Sequence, residues 1–81
     1  MQEPIVCEVS KVFKSEPIDQ YNRYDIRVVK WSSAKTKVFE KRRVWNLKDG
    51  TLRNRKMMGL SLEDLEFIEQ NMEAIKKELR E

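Results

Sequence analysis

With 81 residues, 17 of them Lys or Arg, 14 Asp or Glu and none His, the chain has room for one hydrophobic core and carries a formal net charge of +3. The lack of histidine removes the commonest general base and metal ligand, and Gly50 and Gly59, the only glycines, cannot form a phosphate-cradling loop. No serine or cysteine has a partner that would activate it, so the composition points away from an enzyme and from any metal or cofactor.

The chain opens on Met1-Gln2-Glu3-Pro4, acidic rather than basic, and holds no apolar run near the ~20 residues that span a bilayer. An intracellular protein without a membrane span, in cytoplasm, nucleoid or nucleus, is the expectation. Ile5 to Phe13 is rich in β-branched residues and predicts a first strand, which Ser15-Glu16-Pro17 ends. Its lone Cys7 can form no internal disulfide and is expected to be buried as a small apolar side chain. Arg23 to Trp31 predicts a second strand with Ile26 and Val28 on one face and Arg27, Val29 and Trp31 on the other, followed by a turn at Ser32-Ser33-Ala34-Lys35. Lys37 to Asn46 reads as a third strand. Lys48-Asp49-Gly50 makes a hairpin turn, and Thr51-Leu52-Arg53 begins a shorter fourth strand.

The last segment predicts one amphipathic helix. Ser61 is placed to cap it, with Asp64 reaching back three residues later. Leu62, Leu65, Ile68, Met72, Ile75 and Leu79 recur at three- and four-residue steps and form one apolar stripe for packing on the sheet. The heptad rhythm through Leu65, Ile68, Met72, Ile75 and Leu79 also suits pairing with a second copy. The fold class expected is therefore α+β: a four-stranded antiparallel sheet followed by one helix, ββββα, in a single domain over residues 1–81. A chain this short buries only ~60% of its unfolded surface, so dimerisation is a natural remedy.

Charge is distributed in blocks. Residues 20–56 hold twelve basic and three acidic side chains, whereas the segments before and after are net acidic. Tyr21, Tyr24, Trp31, Phe39 and Trp45 are interleaved with these cations. A purely solubilising face needs no tryptophan, whereas cations with aromatic rings suit phosphates and unstacked bases. The pattern predicts a nucleic-acid-binding surface.

Val44-Trp45-Asn46-Leu47-Lys48-Asp49-Gly50-Thr51-Leu52-Arg53, followed by Lys56-Met57-Met58-Gly59-Leu60-Ser61-Leu62, resembles the positive cofactor 4 family of transcriptional coactivators. That family's motif runs from a strand-end tryptophan through an acidic residue and glycine to an apolar and a basic residue, then Lys-Gly-Ile-Ser-Leu leading into the helix. Trp45, Asp49, Gly50, Leu52, Arg53, Gly59, Leu60, Ser61 and Leu62 match it, within a resemblance covering roughly residues 22–80. Met58 stands where the family has lysine and Asn54 where it has proline. One extra residue separates Gly50 from Gly59, the loop after Trp31 is longer, and the family's acidic regulatory tail is absent, as in core-only members.

The resemblance implies a homodimer with curved sheets whose grooves bind single-stranded DNA with little sequence preference. Trp45 matches a groove tryptophan and Trp31 takes the place of a groove phenylalanine. Arg42 matches an arginine of the third strand, and Arg53 and Lys56 match basic positions before the helix. Lys35 and Lys37 share the turn where the family carries lysines. Arg27 joins the set from strand alternation alone, since it points the same way as Trp31. RNA remains an alternative ligand, because stacking and phosphate contacts do not test the 2′-hydroxyl. The other alternative is a protein-interaction module for an acidic partner, such as a transcription or replication protein.

Overall fold

The computed structural model describes residues 6–46, 48, 50 and 52–81. Ile5, at the expected start of the first strand, and Leu47, Asp49 and Thr51, around the expected hairpin turn, lie outside the described residues. The elements run β1 (Cys7–Pro17), β2 (Asn22–Trp31), β3 (Val38–Asn46), β4 (Leu52–Met57), α1 (Leu62–Gln70) and α2 (Met72–Arg80). The strands form one antiparallel sheet in the order β1-β2-β3-β4, the expected meander, and the fold is α+β. Gly50, in the turn between β3 and β4, has φ 86°, a left-handed conformation that glycine adopts without a Cβ clash.

β1 runs on to Pro17 instead of stopping before Ser15. Its register against β2 slips between Val9 and Lys11 and again between Val12 and Lys14, where Ser10 and Phe13 are the extra residues. Each bulge lets two neighbouring side chains face the same way. Phe13 meets the Phe39 ring edge-on at 6.2 Å, and the Lys14 ammonium lies over the Phe67 ring of α1 at 5.4 Å. Both contacts lie on the helix-bearing face.

The expected single helix is divided at Asn71, which has φ −113° and ψ 13°. Its side-chain amide donates to the Phe67 carbonyl (2.8 Å), and its backbone N–H is shared between Phe67 and Ile68. Asparagine competes for backbone partners in this way, which accounts for the break. The expected stripe divides as well. Ile75 is buried and Ile68 and Leu79 are half-buried, whereas Leu62, Leu65 and Met72 face solvent at 72, 53 and 37% exposure. At roughly 100° per residue, the inward line runs through Asp64, Ile68, Asn71 and Ile75, to one side of Leu65 and Met72.

Asp64 sets that rotation. Ser61 caps α1 in a full capping box: the Asp64 N–H donates to the Ser61 hydroxyl (3.2 Å) and the Ser61 N–H to the Asp64 carboxylate (2.9 Å). The same carboxylate bonds the Lys41 ammonium of β3 at 2.6 Å, with both side chains almost out of water. A buried charge must face its partner, so Asp64 turns toward the sheet and Leu62 and Leu65 turn away. Burial by itself raises the Asp64 carboxyl, but the bonds from Lys41 and Ser61 prevail and hold it below its ordinary value. The apolar core is small: Ile26, Val28 and Ile75 lie between sheet and helices, and Val29 and Val44 in the opposite face.

Candidate nucleic-acid interface

Register assigns each predicted residue to a face. Lys41 meets α1 and pairs with Ile26, so β3 positions 39, 41, 43 and 45 share the helix-bearing face, and 40, 42 and 44 the opposite one. Arg27, Trp31 and Arg42 therefore stand together on the helix-free face, as alternation predicts for Arg27 and Trp31. Trp45 stands on the other side of the sheet. The two tryptophans do not line one groove.

On the helix-free face the three residues converge on Glu40. The Trp31 indole N–H donates to Glu40 Oε1 (2.9 Å), the Arg42 Nε bonds Oε2, and Arg27 Nη2 lies 3.6 Å from Oε2. Arg27 Nη2 also donates to Asn54 Oδ1 of β4 (2.7 Å). The Arg42 guanidinium lies 5.0 Å from the Trp31 ring centre and donates to the Arg55 carbonyl (2.6 Å). Arg27 and Glu40 are only 3 and 4% exposed, so this is an internal charge network with its donors largely engaged. Arg27 belongs to the sheet's interior and not to an outer basic surface. Cys7 borders the network, its Sγ 3.9 Å from Arg27 Nη2. It is half-buried rather than sealed, and burial pushes its thiol above the ordinary value.

The remaining predicted cations are dispersed. Lys35 is exposed in the β2–β3 turn. Lys37 donates to the Ser10 hydroxyl (3.1 Å) and the Glu78 carbonyl (3.4 Å), tying β1 to α2. Lys56 is exposed on β4, and Arg53, also exposed, pairs directly with Trp45.

Around Trp45 the structure assembles a different set. An open cleft of about 380 Å³, beyond the footprint of the helices, is lined by Asp19, Gln20, Tyr21, Asn22, Arg43, Trp45 and Arg55. The Arg55 guanidinium lies over the Trp45 ring at 5.4 Å, and Arg43 Nε donates to Asn22 Oδ1 (3.2 Å). Tyr21 is held in place by the turn before β2, where Asp19 accepts from the N–H groups of Tyr21 (2.9 Å) and Asn22 (2.8 Å). The Tyr21 N–H, followed by the bonds from Asn22, holds the Asp19 carboxyl below its ordinary value. Arg43 and Arg55 are exposed, and among the described residues neither forms a salt bridge.

Tyr21, Arg43 and Arg55 are absent from the sequence-predicted site, although alternation carries a signal for two of them. Arg43 lies two residues before Trp45 on β3, and Arg55 two after Arg53 on β4, so each shares a face with its neighbour. Among the described residues no helix is long and apolar enough to cross a membrane. No family model, curated protein or solved structure matches this chain.

Proposed function

We propose that the chain binds single-stranded nucleic acid, DNA in preference to RNA, with little sequence specificity and without catalysis, and that its seat is the Trp45 cleft. The observation that carries the reading is an aromatic pair, Tyr21 and Trp45, sharing an open cleft with two exposed arginines, neither of which forms a salt bridge among the described residues. Arginines neutralise phosphates and release condensed counterions, while the rings offer π-faces that any base can use. The Arg55–Trp45 contact fits this exchange. An exposed cation–π pair is worth about 0.5–1 kcal/mol, less than the ~1–3 kcal/mol of a stacked base. A base can therefore displace the guanidinium from the indole and leave Arg55 free for the adjoining phosphate. Arg53, across from Trp45, extends the positive track along β4.

The test is anisotropy of a labelled ~20-nucleotide strand at several salt concentrations, with duplex and RNA as competitors. Trp45→Ala is expected to weaken binding by ~1–3 kcal/mol, about 5- to 150-fold. Arg43→Gln and Arg55→Gln should each flatten the salt dependence by about 0.7 in log–log slope. Trp31→Phe should leave affinity nearly unchanged. Binding that ignores Trp45 but collapses with Arg42→Gln would move the site to the opposite face.

The resemblance to positive cofactor 4 supports a role in transcription, replication or repair, and a homodimer. Of the five residues expected to pair, Leu65 and Met72 are exposed seven positions apart, Ile68 and Leu79 are half-exposed, and Ile75 is already buried within its own chain. The pairing surface is accordingly Leu65, Met72 and the outer sides of Ile68 and Leu79. Leu65→Asp with Met72→Asp is expected to yield a folded monomer by sedimentation; a double variant that still sediments as a dimer places the contact elsewhere.

A further inference from the structure

β2 and β3 remain paired as far as Val29 and Val38, but β4 leaves β3 early: its last pair is Met57 with Arg42, and one further bond runs from the Met58 N–H to the Lys41 carbonyl (2.9 Å). Backbone groups alternate in direction along a strand, so Phe39, two residues before Lys41, presents its N–H and C=O to the same side. Among the described residues neither group has a backbone partner outside the β2 ladder. The bare edge opens into a cleft of about 390 Å³ walled by Phe39, Met57, Met58, Gly59 and Leu60. Met57 and Leu60 are 62 and 52% exposed, and a Cβ placed on Gly59 would meet nothing within 4 Å, so the cleft is open to solvent.

We infer that this notch accepts a short extended segment of a partner protein, rich in alternating apolar and acidic residues, as an added strand beside β3. An unpaired edge supplies main-chain hydrogen bonds and the adjoining cleft takes alternate side chains, the two parts of strand addition. Charge selects the occupant. Glu40 and Lys41, which also border the cleft, are internally paired, whereas Lys56 beside Met57 and Lys35 ahead of Val38 are exposed without a carboxylate partner among the described residues. The exposed charges next along the chain from the notch, Lys56 adjoining Met57 and Lys35 three residues before Val38, are positive, which favours acidic flanks on the incoming strand. β1, by contrast, is broken by two bulges and ends at Pro17, devices that keep an edge from being extended.

The probe is an octapeptide of alternating valine and aspartate, titrated into the intact protein while backbone amides are followed by NMR. Bound peptide should perturb Phe39, Met58 and Gly59 and slow hydrogen exchange at the Phe39 amide by roughly tenfold or more. N-methylation on one set of alternate peptide residues should abolish binding while the other set leaves it intact, since only one set faces the edge. Lys56→Glu, at an exposed position, should weaken binding several-fold without changing the free spectrum elsewhere. Perturbation confined to Tyr21, Trp45 and Arg55, or equal tolerance of both N-methyl patterns, would overturn the inference in favour of charge attraction to the basic cleft. Phe39 protection that grows with protein concentration in the absence of peptide would overturn it in favour of a second copy.

Discussion

Glu40→Ala is expected to destabilise the fold by about 3–5 kcal/mol, the usual cost of removing one partner from a buried charge network. The carboxylate faces Arg27 and Arg42 and accepts the Trp31 indole N–H. Without it, two guanidiniums on the helix-free face lose the one carboxylate that forms a salt bridge with them among the described residues, and one of them is 3% exposed with its Nε already unpartnered. At roughly 0.05–0.15 kcal/mol per residue, a chain of this size has about 4–12 kcal/mol in all, so the loss is a large part of its stability. Glu40→Gln keeps an acceptor for Trp31 and should cost less than alanine. Adding Arg27→Met to Glu40→Ala should recover part of the loss, since one of the stranded charges goes with it. Urea midpoints followed by tryptophan emission distinguish these cases. A loss below ~1 kcal/mol would mean that the guanidiniums escape to water and the network is a surface feature.

Asp64→Ala is expected to be nearly as damaging, at about 2–4 kcal/mol, because it removes one half of the capping box and strands Lys41. The ammonium would keep only the face of Tyr24, 4.5 Å away. The effect has a pH signature. The folded Asp64 carboxyl is held below its ordinary value, so its contribution is complete above the unfolded-state pKa of ~3.9 and disappears as pH falls through the lower folded value. Urea midpoints should therefore fall more steeply below about pH 4 in the native protein than in Asp64→Asn, which cannot titrate. Parallel profiles for the two proteins would rule out this ion pair as a source of acid sensitivity. Because Lys41–Asp64 is the buried charged contact joining α1 to the sheet, the helix resonances should lose dispersion first as pH falls.

Much of this architecture is legible along the chain. The alternation through Ile26, Arg27 and Val28 divides β2 into two faces, Gly50 marks the β3–β4 turn, and Ser61 with Asp64 announces the start of the helix. These features are local: period two, a turn residue and a cap each need only a few neighbouring side chains.

The assembly of the candidate site is not local. Whether Trp31 and Trp45 share a face depends on which residue of β3 sits opposite which residue of β2, and a shift of one position would reverse the answer. The bulges at Ser10 and Phe13 carry no local signal, because an extra residue is recognised only against a partner strand. Helix periodicity marked the apolar positions but not their rotation, which Asp64 decides by facing Lys41 and so leaves Leu65 and Met72 outside. The basic character of residues 20–56 was plain in the sequence. Which cations are held in salt bridges was decided by folding, because Glu40 takes up Arg27 and Arg42 while Arg43 and Arg55, in no salt bridge among the described residues, line the cleft of the half-buried Trp45 ring. Composition and period are properties of neighbours in sequence; pairing across strands and the neutralisation of a buried charge are properties of neighbours in space.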